Sequence, residues 1–292
     1  MIMNSFKCVL TKDNYILIQI NICSICQQHC WYCYARNGRY PLKWNTIMPF
    51  EFIKKVINVI GHMKYNVRLS LLGGDPTLHP KLNDILIETL KFSNIKKVDI
   101  FTNGLKNIKK YVIDPKIFYV FSFHSTETDG QKLIDNAKFC LKHNINFNIN
   151  CLYYEDNANF LSFFTNIKDT PIISHSSISI VYNYNDDTPF KIVVPDKYRC
   201  LYDENIKKFN VDNTYYNLEE VYQHHFNDFK GWKCYKQNIW ITTDCKIFVT
   251  GSNKRCLSLN ELQNYKITYD ICSHSCCTDE DSLMYNKKVK IV

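Results

Sequence analysis

Apolar residues recur with two alternating periods between residues 15 and 182. Residues 15–22 (YILIQINI) are a continuous apolar run of strand length. Residues 49–62 (PFEFIKKVINVIGH) space their apolar positions as a helix does, with Pro49 suited to the first turn. The pattern then predicts a strand over 67–74, an amphipathic helix over 80–92, and strands over 97–104 and 117–125. A helix over 130–144, a strand over 145–153, a helix over 158–167 and a strand over 176–182 follow. Strands and helices that alternate about six times argue for parallel βα units, with loops gathered at the strands' C-terminal ends. Six units in about 170 residues are too few for an eight-unit barrel. The expectation is an α/β fold: a partial, TIM-like (β/α)6 barrel over residues 1–182. Residues 183–230 read as a polar linker with a bridging helix at 218–229. Residues 231–292 read as a small cysteine-rich domain with a hairpin at 238–250.

Composition narrows the class. Of 292 residues, 46% are hydrophobic and 22% charged, which supports a substantial core and excludes wholesale disorder. The most apolar stretch, residues 15–35, is broken by Asn21, Gln27, Gln28 and His29, so no membrane span is expected. The N-terminus lacks the charged start and apolar core of a signal peptide, and a cytoplasmic location is the expectation. The formal net charge of +8 is spread over short lysine pairs such as Lys54-Lys55 and Lys96-Lys97. That distribution reads as solvated surface more than as nucleic-acid attraction.

Fourteen cysteines in a reducing compartment point to metal or redox chemistry. Cys26-Gln-Gln-His-Cys30-Trp-Tyr-Cys33 directly follows the first strand, where barrel loops carry chemistry. Three thiolates at these gaps can wrap one face of a cubane cluster and leave one iron open, since full ligation takes a fourth. The alternative is zinc, which normally takes four ligands in two pairs.

The motif, with the aromatic Tyr32 just before its third cysteine, resembles that of the radical S-adenosylmethionine (radical SAM) superfamily. The resemblance implies that Cys26, Cys30 and Cys33 hold a [4Fe–4S] cluster. Its open iron would chelate the amino and carboxylate groups of S-adenosylmethionine (SAM), with Tyr32 near the adenine. Cys23 stands where many members carry a small residue and reads as structural. His29 is expected near the cluster but not on iron.

Gly73-Gly74-Asp75-Pro76 ends the second predicted strand. Paired glycines permit close backbone approach to a ligand, and a carboxylate beyond them can accept from an ammonium group. The element looks like the family's Gly-Gly-Glu-Pro, which contacts the methionyl ammonium. Asp75 keeps the charge with one methylene less reach. Thr102-Asn103-Gly104 ends the third strand, either as a plain turn or as the family's similar element. Ser122 and His124 share one face of the fourth strand, where family members place groups against the ribose or the methionyl carboxylate. Asn148 and Asn150 share a face of the fifth, and one could hold the ribose hydroxyls. Polar filling of a barrel rim is the competing reading for all four.

Cysteines 234, 245, 256, 272, 276 and 277 form a second group. Six in forty-four residues argue for a metal site, with structural zinc and unligated thiols as alternatives. Beside such a barrel they look like the SPASM or twitch extensions, which carry an auxiliary iron–sulfur cluster. Cys245 replaces the usual glycine of the hairpin turn, Thr250 replaces a cysteine, and the full CxxCxxxxxCxxxC run is absent. One auxiliary [4Fe–4S] cluster on Cys234, Cys256, Cys272 and Cys276 is expected, with Cys277 or Cys245 as substitutes.

The resemblance as a whole implies an enzyme that reductively cleaves SAM to a 5′-deoxyadenosyl radical and abstracts hydrogen from a substrate. An external electron donor such as flavodoxin or ferredoxin would supply it. A peptide or protein is the first choice of substrate; a nucleotide, nucleic acid or sugar is the second. A non-catalytic zinc- or cluster-binding module is the reading from a different class. Gly73-Gly74-Asp75 counts against it, because such a module does not need that element.

Overall fold

The computed structural model describes residues 15–37, 44–180, 195–198, 200–201, 209–211, 214–216, 230–235, 238–249, 256–271 and 287–290. Six strands lie side by side in chain order, all parallel. They are β1 (Tyr15–Cys23), β2 (Asn66–Gly73), β3 (Ile95–Thr102), β4 (Ile117–His124), β5 (Asn146–Tyr153) and β6 (Ser176–Ile180). The intervening helices are α1 (Tyr34–Asn37), α2 (Phe50–Gly61), α3 (Leu82–Leu90), α4 (Gln131–Lys142) and α5 (Ala158–Ile167). Each expected strand and helix of this region is present within a few residues. The regular alternation has one gap: the β3–β4 crossover, residues 103–116, contains no helix. Asn136 of α4 holds the backbone of this crossover. The Asn136 amide donates to the carbonyls of Gly104 and Lys106, both at 2.8 Å.

Strand alternation sorts the two faces of the sheet. One face carries Ile16, Ile18, Ile20 and Ile22 of β1, all fully buried in a core shared with Ile53, Val56, Ile57 and Ile60 of α2. On the same face Phe123 stacks on Phe163 of α5 at 4.0 Å. The opposite face carries Gln19, Asn21, Ser70, Asp99, Ser122, Asn148 and Asn150. Asp99 is fully buried there and pairs with Arg68 and with Lys97 at 3.2 Å. A core on one side and polar groups on the other leave the inner face of the curved sheet for chemistry.

Beyond residue 183 the described residues add short strands and one short α-helix. The polar stretch contains a two-stranded ribbon, β7 (Phe209–Val211) with β8 (Thr214–Tyr216). The helix expected at 218–229 lies outside the described residues. Then come β9 (Trp232–Tyr235), β10 (Asn238–Ile241), β11 (Ile247–Val249), β12 (Cys256–Leu257), α6 (Leu259–Gln263), β13 (Tyr269–Ile271) and β14 (Lys287–Lys290). The expected hairpin is β10–β11, and β10 pairs in parallel with β1. The main sheet is therefore open and nine-stranded, in the order β12-β11-β10-β1-β2-β3-β4-β5-β6. Strands β13, β9 and β14 form a separate small sheet. Among the described residues, no helix is long and apolar enough to cross a membrane.

Candidate functional site

The loop that follows β1 gathers Cys26, Cys30 and Cys33 at the C-terminal edge of the sheet. Cys30 is buried and the other two are half-buried. A turn closes the loop, with the Cys33 amide donating to the Cys30 carbonyl at 3.2 Å and the Gln28 amide to the Cys26 sulfur at 3.5 Å. Arg36 of α1 donates to the Gln28 carbonyl at 3.1 Å. Burial pushes the Cys30 thiol up to about 12, and Glu127, Cys33 and Cys26 push it the same way. Burial raises the Cys26 thiol too, against a lowering hydrogen bond from Gln28. Cys26 and Cys30, raised in this way, become thiolates when a cationic centre supplies the charge. Three cysteine thiols on one short loop are the soft donor set that suits an iron–sulfur cluster, so the residues present fit that group.

The paired glycines were expected to make room for a ligand. In this structure they make room for the cluster loop itself. A Cβ on Gly73 would stand 1.8 Å from the Cys23 carbonyl oxygen, and one on Gly74 2.2 Å from that of Ile25. The contact is stitched by the Gly74 amide on the Cys23 carbonyl at 2.8 Å and the Asp75 amide on the Ile25 carbonyl at 2.7 Å. Cys23, expected to be structural, is buried, and its thiol donates to the Asp75 carbonyl at 3.1 Å.

Asp75 is fully buried. Its carboxylate caps the short turn Pro76–Leu78 by accepting from the Thr77 amide at 2.9 Å and the Thr77 hydroxyl at 2.6 Å. It also accepts from the Thr102 hydroxyl, 3.0 Å from each oxygen, and from the Asn103 amide at 3.4 Å. Burial raises its affinity for a proton, and these hydrogen bonds oppose that. Pro76 is buried at the first position of the turn. Thr77 and Thr102 were not singled out from the sequence; an acid two residues before a threonine is the signal of such a local cap.

Asn103 bridges two loops. Its side-chain amide donates to the Cys26 sulfur at 3.7 Å, and its oxygen accepts from the Leu105 amide at 3.1 Å and from Gln27 at 3.3 Å. His124, at the end of β4, places Nδ1 3.4 Å from the Cys30 sulfur and 3.1 Å from the Tyr32 hydroxyl, and its ring stacks on Tyr32. Burial lowers the His124 imidazole to about 4. The His29 ring is held by Arg36 at 2.8 Å. Ser122, Asn150 and Ser177 are register neighbours across β4, β5 and β6. The side-chain oxygens of Asn148 and Asn150 are buried without a hydrogen-bond donor.

Of the second cysteine group, Cys234, Cys245 and Cys256 lie among the described residues. Cys234 sits on β9, opposite Asp270 on one side and Lys287 on the other. Cys256 is exposed on β12, opposite Phe248. Cys245 turns the β10–β11 hairpin at φ +63°, a conformation that favours glycine. Cys272, Cys276 and Cys277 lie outside the described residues.

The radical SAM superfamily model matches residues 20–140, from β1 through most of α4. GTP 3′,8-cyclase of Mannheimia succiniciproducens is 22% identical over 177 residues, covering 55% of this chain and 52% of that protein. GTP 3′,8-cyclase of Clostridium botulinum is 26% identical over 94 residues, covering 32% of this chain and 28% of that protein. The chain thus spans about half the length of the first relative and less of the second. Among solved structures, native anSMEcpe with bound AdoMet aligns over 80% of this chain and 74% of that one, with TM-score 0.51 and 16% identity. The same enzyme with AdoMet and a Kp18Cys peptide aligns over 81% and 74%, with TM-score 0.51 and 16% identity. These likenesses match the α/β fold.

Proposed function

We propose, from the match of residues 20–140 to the radical SAM superfamily model, that the chain is a member that reductively cleaves SAM and abstracts hydrogen from a substrate. The observation that carries the reading is the loop of Cys26, Cys30 and Cys33, pinned by Gly73-Gly74-Asp75 at the C-terminal edge of a parallel sheet. A [4Fe–4S] cluster held by Cys26, Cys30 and Cys33 would supply the one-electron reduction of the SAM sulfonium that yields methionine and a 5′-deoxyadenosyl radical. The three cysteines would hold the cluster, and Asn103 donates to the Cys26 sulfur. Tyr32 and neutral His124 wall the site beside Cys30. Ser122 and Asn150 offer hydroxyl and amide groups on the inner face, with Asn150 still lacking a donor for its oxygen. Anaerobic reconstitution with reductant and SAM tests the reading. The expected product is 5′-deoxyadenosine; its absence, or its persistence in Cys26→Ala, Cys30→Ala or Cys33→Ala, would refute it.

A peptide or protein is the favoured substrate, supported by a fold neighbour solved with a bound peptide. The names of the curated relatives favour a nucleotide as the second reading. Consumption of SAM stimulated by GTP, with none by peptides, would decide for the latter. An external flavodoxin or ferredoxin would deliver the electron. For the auxiliary cluster on Cys234, Cys256, Cys272 and Cys276, the support is strand register. Asp270 pairs with Cys234, and β13 ends immediately before Cys272. Two clusters predict about eight irons per chain and one predicts about four.

A further inference from the structure

The acid of the Gly-Gly-Asp element is engaged by its own loops, most heavily at Oδ1. A carboxylate offers about four acceptor sites. Asp75 meets four donors: the Thr77 amide, the Thr77 hydroxyl, the Thr102 hydroxyl and the Asn103 amide. It is fully buried, and its own backbone is fixed by the Ile25 carbonyl and the Cys23 thiol. Three loops therefore meet at this residue: those after β1, β2 and β3. The Asn103 that it holds by the main chain is the residue whose side chain reaches the Cys26 sulfur at 3.7 Å. Hydrogen bonds to a ligating sulfur stabilise the more negative, reduced state of a cluster.

We propose that Asp75 is a positioning residue. It sets Asn103 against the sulfur of Cys26, and so raises the reduction potential of the cluster, instead of binding the methionyl ammonium. The proposal rests on the reading of Cys26, Cys30 and Cys33 as cluster ligands. The shorter acid suits the role: ending one methylene sooner, it stays between the loops and closes the cap on Thr77.

The test compares wild type, Asn103→Ala, Asp75→Asn and the double variant after anaerobic reconstitution. Redox titration followed by electron paramagnetic resonance gives the midpoint potential. The change in the reduced-cluster signal on titration with SAM gives its affinity. Asn103→Ala is expected to lower the midpoint, Asp75→Asn to lower it in the same direction, and the double variant to go no further than Asn103→Ala alone. SAM affinity should stay within about three-fold in Asp75→Asn, because no charge-assisted hydrogen bond to the ammonium is lost. In the cluster-free protein, Asp75→Asn should speed amide exchange at Thr77 and Asn103. An unmoved midpoint in Asn103→Ala, or a fall in SAM affinity of about 10- to 100-fold in Asp75→Asn, would overturn the inference while leaving the enzyme reading intact. Wild type that takes up no iron would overturn the enzyme reading, and the inference with it. If Asp75→Asn does not fold, Asp75→Glu carries the same comparison. Its longer arm should disturb Asn103 and lower the midpoint without tightening SAM.

Discussion

Replacing Gly73 with alanine separates two explanations of the paired glycines. A methyl group there would stand 1.8 Å from the Cys23 carbonyl oxygen, and φ is +133°, where side chains are strained. Relief requires the end of β2 to part from the cluster loop. That breaks the Gly74-to-Cys23 and Asp75-to-Ile25 hydrogen bonds of 2.8 and 2.7 Å. The strained backbone costs about 1–3 kcal/mol. The two hydrogen bonds are worth about 1 kcal/mol each, so the expected loss is about 3–5 kcal/mol. Urea unfolding of the cluster-free protein measures it, and iron and sulfide per chain after reconstitution report whether the loop still assembles. Gly73→Ala should lose both stability and iron. A variant within about 1 kcal/mol of wild type, with full iron and weakened SAM binding, would refute the reasoning and place the glycines against the ligand.

Cys23→Ala should cost about 1–2 kcal/mol through the lost hydrogen bond to the Asp75 carbonyl while iron content holds; lost iron would make Cys23 a ligand. Cys245→Gly relieves a φ of +63° and should raise stability by about 0.5–1 kcal/mol in urea unfolding, whereas a fall in iron per chain would assign its thiol to the auxiliary site. Asp99→Ala removes the fully buried carboxylate that Arg68 and Lys97 share and should cost about 3–5 kcal/mol. A loss in Asp99→Ala under about 1 kcal/mol would show that those cations are satisfied without it.

The parallel half of the fold was legible because its strands and helices differ in period. Ile16, Ile18, Ile20 and Ile22 mark one face of β1, and Ile53, Val56, Ile57 and Ile60 mark the stripe of α2 that covers it. The pairing of β10 with β1 was not legible. Hydrophobic alternation says that 238–241 is a strand but not which edge it joins. The cluster loop could be read from three cysteines at fixed gaps, a local signal. The roles of the glycines and of Asp75 could not, since they depend on contacts with Cys23, Ile25, Thr102 and Asn103 from other loops. The same holds for His124, whose position on β4 was foreseen but whose contact with Cys30 and Tyr32 was not.

The parallel pairing of β10 with β1 also sets a timetable. β1 carries the cluster loop, yet its second neighbour enters the chain only at residues 238–241. At about 5–20 residues per second of synthesis, the free edge of β1 waits roughly 10–40 s for its partner. During that interval the strand is an apolar template open to any other chain, with three oxidisable thiols at its tip. Assembly of the metal centre and completion of the sheet are therefore coupled in time. Slow translation, or a chain ending before residue 238, should appear as aggregation and oxidation before it appears as lost turnover.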